Sequence, residues 1–260
     1  MHVNRKSLFS LPNRSLIEGS FKEMVKITPH PEWVEEFLDF VKPYKDRVVN
    51  NRFFTDIING NLSLSQFRGA LINFYPLIET FPLYMGLNLA KVPAGNSSVY
   101  RKTRYWLITN INIERLHTDW WREFAAGFKV SREDLDEEIF PPPEMDAINN
   151  YLWRISTHGS LAEGISAVNF AIEGPTGEWT RTVREGLGNY RNAEGVEITK
   201  RTLEWVEAHA SYDDMHPFEA LEIIKFFATT KEEQMKVRQA AKRSLEYYAL
   251  ALDACYEIYK

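Results

Sequence analysis

Three short stretches carry nitrogen and oxygen donors at spacings that suit a metal. "AHASYDDMHPFEALEII", residues 208–224, holds His209, Asp213 and His216. On a continuous α-helix each residue advances about 100°, so Asp213 lies about 40° from His209 and His216 within about 20° of it. Two imidazoles and a carboxylate on one stripe suit a borderline transition metal such as iron. "IERLHTDWW" sets Glu114 and His117 three apart, neighbours on one helix face. Such a pair ordinarily sits at the surface. Here Trp121, four beyond His117, argues that the face points inward, where a carboxylate and an imidazole need a partner. Glu173, in "NFAIEGPTGEW", follows an apolar stretch and precedes Gly174. It reads either as an exposed acid at a helix end or as an inward ligand, because a carboxylate at a C-terminal end opposes the helix dipole unless a cation compensates.

Together Glu114, His117, Glu173, His209, Asp213 and His216 make three carboxylates and three imidazoles on three helices. Glutamate and histidine from facing helices are how bundles hold a pair of metals, and this composition resembles a carboxylate-bridged di-iron site richer in nitrogen than the ferritin type. Glu79, a lone acid in "FYPLIETFPLYM", is either another inward carboxylate or an acceptor behind a ligand histidine. On the continuous-helix reading Asp214 and Glu219 turn away from the stripe and should be solvated. His2, His30 and His158 have no donor at helical spacing, Asp119 and Glu178 read as surface residues, and Cys255 reads as a small core residue.

The elements that must position these groups are helices. In "PHPEWVEEFLDFVKPYKDR" Trp33, Phe37, Phe40 and Val41 follow the three-and-four pattern. "LSLSQFRGALINFYPLIETFPLYMGLNLAKV" is too apolar for a surface helix and should kink or break near Pro76 and Pro82. Ser131 reads as a helix cap, "FPPPEM" breaks the chain, and five more helical segments follow. Strand-type alternation is nearly absent. The expectation is an all-α, single-domain bundle of about eight to ten helices over residues 31–260, with residues 1–30 as an N-terminal arm.

The totals narrow the function. Hydrophobic residues at 44% and charged residues at 26% match a globular protein with a core large enough to enclose a site. A net charge of −5, with acids and bases interspersed, offers no basic stripe for nucleic acid. One cysteine in the chain excludes an internal disulfide and a thiolate cluster, which agrees with a reducing compartment. No signal-like or membrane-spanning run is visible, so the expected location is cytoplasmic.

"ETFPLYMGLNLAK", "IERLHTDWW", "NFAIEGPTGEW" and "HASYDDMHPFEALEII" resemble, in order and spacing across roughly residues 50 to 250, segments of the haem-oxygenase-like di-metal oxidases. Within them the likeness is to the fatty-acid decarboxylase branch that forms 1-undecene. The "GPTGEW" tail and the residues that follow His216 in "HPFEALEII", which carry no ligand, favour that branch. The resemblance implies a haem-oxygenase-like bundle of seven to eight helices and an iron site that activates O2. It places the iron ligands on the six residues named above, with one or two Fe2+ per chain and an external electron donor. It implies oxidative decarboxylation of a medium-chain fatty acid, or another small apolar acid, to a terminal alkene and CO2, and it allows a homodimer. Phe170, Tyr212 and Trp121 lie on ligand-bearing faces and are candidate pocket walls. A related oxidase acting on an amino acid or amine is the main alternative, with Glu79 as the spare acid, and a non-catalytic helical interaction module is the alternative of another class. The related thiaminase (TenA) group relies on a mid-chain cysteine, which this sequence lacks.

Overall fold

Local capping signals start the long helices. In the computed structural model, which describes residues 25–136, 141–212 and 215–260 and only the backbone at Ser211 and Tyr212, helix α1 spans Glu32–Val49 and α2 Arg52–Ile58. Helix α3, Leu64–Ala90, begins at a capping box in which the Ser63 hydroxyl accepts from the Gln66 N–H and the Gln66 side chain accepts from the Ser63 N–H. α4 follows over Ser98–Gly127, the short α5 over Arg132–Asp136 and α6 over Pro143–His158. Ser131 caps α5 as its sequence implies, its hydroxyl accepting from the Asp134 N–H at 3.0 Å. α7, Leu161–Ile165, opens on a second capping box at Ser160 and runs into a π-helix, Ser166–Phe170. α8 covers Glu173–Gly186 and ends in a 3-10 turn, Leu187–Tyr190. α9 spans Glu204–Tyr212, α10 His216–Phe227 and α11 Lys231–Ile258. Among the described residues there is no strand, so the all-α expectation holds.

Two expectations of local structure need correction. α3 runs unbroken through Pro76 and Pro82, because burial along most of its length against α4 and α6 outweighs the local penalty of a missing N–H. Conversely, the stretch 204–227 is not one helix. α9 ends at Tyr212 and α10 starts afresh at His216 with Pro217 in its first turn. Proline has no N–H and its ring clashes with the carbonyl four residues back, so it opens helices and does not continue them. His209 and His216 therefore do not share a stripe.

α3 lies along α4 and α8 along α9, while α11 packs against α1, α6 and the π-helix. The arm is partly described. Val25 joins the core, and Thr28 donates from its N–H and hydroxyl to the two carboxylate oxygens of Glu222 on α10, at 2.9 and 2.8 Å. Residues 1–24 lie outside the described part. No helix among the described residues is long and apolar enough to cross a membrane.

Candidate metal centre

Glu114 on α4, Glu173 at the head of α8 and His216 at the head of α10 converge in the interior, one ligand atom from each lying within 4.8 Å of the others. All three are buried. The π-helix helps to set Glu173. A π turn carries one residue more than an α turn and is common at functional sites. Here it is pinned to α11 by the Ser166 hydroxyl on the Val237 carbonyl and the Ser244 hydroxyl on the Ala167 carbonyl. Asn169, in that turn, donates to Glu173 Oε1 at 2.8 Å. Glu173 thus begins a helix and does not oppose a C-terminal dipole.

The two other candidate histidines, His117 and His209, are oriented by their own neighbours. His117 Nδ1 is 2.7 Å from Glu114 Oε2, and His209 Nδ1 is 2.8 Å from the Trp205 carbonyl, one turn earlier on α9. A carbonyl oxygen only accepts, so His209 Nδ1 is the donor of this bond, which leaves Nε2 as the atom that would face a metal. The His117 and His209 rings approach to 4.4 Å between centroids. His216 Nδ1 sits 3.2 Å from Glu173 Oε2. Five of the six residues singled out by spacing are therefore brought together. The sixth, Asp213, lies outside the described residues, as does Asp214.

Three expectations change with the fold. Glu219 is buried, not solvated, and accepts from the Trp106 indole at 2.9 Å, because the new helix at His216 turns it inward. Burial pushes its carboxyl above the ordinary range, with the Trp106 N–H and the nearby His216 opposing. Glu79 is exposed and lies off the site, so it is not the acceptor behind a ligand histidine. Phe170 packs on Phe37 at 5.0 Å and faces a different cleft, between α1, α8 and α10. The Tyr212 side chain falls outside the description. Asn169 and Trp205 were missed, although each stands one helical turn before a ligand candidate.

The donors fit the metal that the spacing suggested: buried carboxylates and imidazoles, with no thiolate among them, suit iron. Comparison with known proteins agrees. Residues 68–249 match the family described as "Iron-containing redox enzyme", of haem-oxygenase type. A TenA homolog from Pseudomonas syringae is 33% identical over 90% of this chain and 97% of its own, with a TM-score of 0.81. The chain belongs to the haem-oxygenase-like family of iron-containing redox enzymes. Two further structures share its fold. A TenA homologue from Pyrococcus furiosus is 18% identical, covering 86% of this chain and 100% of its own at a TM-score of 0.69. A haem-oxygenase-like domain of unknown function from Shewanella denitrificans is 16% identical, covering 89% and 94% at a TM-score of 0.70. No curated protein matches the sequence significantly.

In this redox enzyme the donors open onto a narrow pocket. Its cavity volume is about 80 Å³, and it is bounded by Glu114, His117, Glu173 and His209 on the metal side. Apart from Thr176, the other walls are aliphatic and aromatic, among them Phe53, Phe74, Leu77, Phe81, Trp121 and Leu252. Trp121 is thus a wall, as its place on the His117 face suggested. Among the described residues no lysine or arginine lines it.

Proposed function

We propose that this enzyme oxidatively decarboxylates a medium-chain fatty acid to a terminal alkene and CO2, using iron, O2 and an external electron donor. The observation that carries the reading is the junction of a buried carboxylate and imidazole cluster with a narrow pocket whose remaining walls are almost wholly apolar. Iron bound there supplies O2 activation. The acid gives up two electrons and two protons as it becomes alkene and CO2. Reduction of O2 to two waters takes four electrons and four protons, so two of each come from outside the substrate.

The chain's own residues hold the donors rigid, align the alkyl chain and exclude water. Each buried CH2 is worth ~0.8 kcal/mol, so affinity should climb about three- to fourfold per carbon until the pocket is filled. An amine substrate would want a carboxylate to spare beside the site. Glu79, the one candidate, is exposed elsewhere, which removes the support for that alternative. Family membership and the buried donor cluster likewise leave a purely structural interaction module without support.

Nucleophilic cysteine chemistry finds no footing either. Cys255 is buried within α11 and burial pushes its thiol up to about 12, so near pH 8 it is protonated. Cys255→Ala should keep turnover, and iodoacetamide should leave the native protein unlabelled. Loss of turnover with the fold intact would revive a thiol mechanism.

The reaction itself is tested by anaerobic Fe(II) loading, O2 exposure with a reductant, and a volatile-product screen over acids from octanoic to hexadecanoic. With a substrate dideuterated at C3, the alkene should retain one deuterium at its internal vinylic carbon. Alkene that keeps both, or no alkene from any acid while an amino acid consumes O2, overturns the proposal.

A further inference from the structure

Three tryptophans line the pocket, and they differ in what their indole N–H groups do. Trp121 donates to the Leu71 carbonyl and Trp179 to the Tyr248 hydroxyl, each at 2.9 Å. Trp205 Nε1 is buried with no hydrogen-bond partner among the described residues. Trp205 is only 1% exposed, so solvent does not satisfy it. A buried donor left unpaired costs about 1–3 kcal/mol, and native proteins place such groups sparingly.

The other polar side chains around the pocket are already committed. The Thr176 hydroxyl donates to the Ile172 carbonyl at 2.7 Å. The Tyr248 hydroxyl accepts from Trp179, which leaves its own proton for Thr176 Oγ1 at 3.4 Å. Outside the metal ligands, Trp205 is therefore the pocket-lining side chain with a donor to spare among the described residues. Its position is held tightly. The indole stacks on His209 at 4.0 Å between centroids and meets Trp121 nearly edge to face at 4.7 Å. The indole thus stands beside a metal ligand, where the polar end of a bound acid must lie if its alkyl tail fills the apolar part.

We propose that Trp205 is a substrate-binding residue whose indole N–H donates to a carboxylate oxygen of the acid, so selecting acids over other apolar chains of equal length. The assignment rests on the acid substrate proposed above. With no lysine or arginine lining the pocket among the described residues, recognition of the carboxylate falls to the metal side and to this one donor.

The test measures dodecanoate binding to the anaerobic, Fe(II)-loaded enzyme by equilibrium dialysis. Trp205→Phe keeps an aromatic ring against His209 and removes the N–H. Its dissociation constant for dodecanoate should rise at least about tenfold, as expected for a hydrogen bond to a charged group. That for dodecan-1-ol should rise much less, and iron stoichiometry should not change. Should Trp205→Phe fold poorly, benzothienylalanine at position 205 replaces only N–H by sulfur and should give the same result. Unchanged dodecanoate affinity would show that the N–H takes no part in holding the acid and would overturn the proposal. Equal weakening of acid and alcohol, or loss of iron, would assign Trp205 to packing on His209 and overturn it too. The two readings fail separately: dodecanoate binding that depends on Trp205 without any alkene sinks the reaction alone, and alkene formation with unaltered binding in Trp205→Phe sinks this inference alone.

Discussion

Glu173→Gln is expected to lower Fe(II) affinity by more than about 100-fold and to abolish turnover. Loss of a group that merely supports a ligand already weakens metal sites about 10- to 100-fold, and Glu173 is proposed as a ligand itself. The glutamine keeps the side chain's shape and an oxygen for the Asn169 amide, which now bonds Glu173 Oε1 at 2.8 Å, but removes the charge that makes a carboxylate a strong oxygen donor. The folding stability of the metal-free chain should therefore change little. What should vanish is the rise in melting temperature on adding Fe(II). A ligand at 100 times its dissociation constant stabilises a protein by about 2.7 kcal/mol, and a variant that no longer binds gains nothing. Glu178→Gln serves as the control, since Glu178 lies on the same helix but faces Lys45 at the surface. Equal iron stoichiometry and equal thermal shifts in Glu173→Gln and the unaltered chain would remove Glu173 from the centre. Equal loss in Glu178→Gln would show a general effect on α8.

The second large effect concerns how α10 is held in place. Glu222 is fully buried and accepts from Lys225 at 2.7 Å as well as from the Thr28 N–H and hydroxyl. Lys225 also donates to the Thr28 carbonyl and hydroxyl. These bonds tie residues 25–31 to the helix that begins at His216. Glu222→Ala leaves a largely buried ammonium without its carboxylate and should destabilise the protein by about 3–5 kcal/mol, the range for breaking a buried pair from one side. Glu222→Leu combined with Lys225→Met removes both charges at similar volume and should recover most of that loss. Urea unfolding of the two variants decides it. A loss below about 1 kcal/mol in Glu222→Ala would place the pair among ordinary surface ion pairs. Because α10 carries His216, the single variant should also weaken Fe(II) binding, and the double variant should restore it.

Residue types and short-range spacing carried a good deal by themselves. Helical periodicity through Trp33, Phe37 and Val41, together with the near absence of alternating runs, determined an all-α fold, because a helix needs only local hydrogen bonds and one apolar face. Glu114 and His117 were legible because three-residue spacing makes neighbours on any helix, and Trp121 showed which way that face turned. Cys255 was legible as core for a similar reason: it sits in a helix whose apolar face is written in its neighbours.

Other features depended on partners distant in sequence. Whether a proline breaks a helix is a balance between one lost N–H and the packing of the whole element, so α3 runs through Pro76 and Pro82 whereas the chain restarts at Pro217. That restart turned His216 and Glu219 inward, which a single 100° count from His209 could not foresee. Glu79 shows the converse, since an acid within an apolar segment still finds the one exposed stripe of a nearly buried helix. The convergence of Glu114, Glu173 and His216 joins α4, α8 and α10, and the spare donor on Trp205 emerges only once the partners of Trp121 and Trp179 are known. Spacing along the chain names the groups that can act, but burial and hydrogen-bond satisfaction are properties of the packed whole, and only tertiary structure decides which groups face one another and which are left with a bond to make.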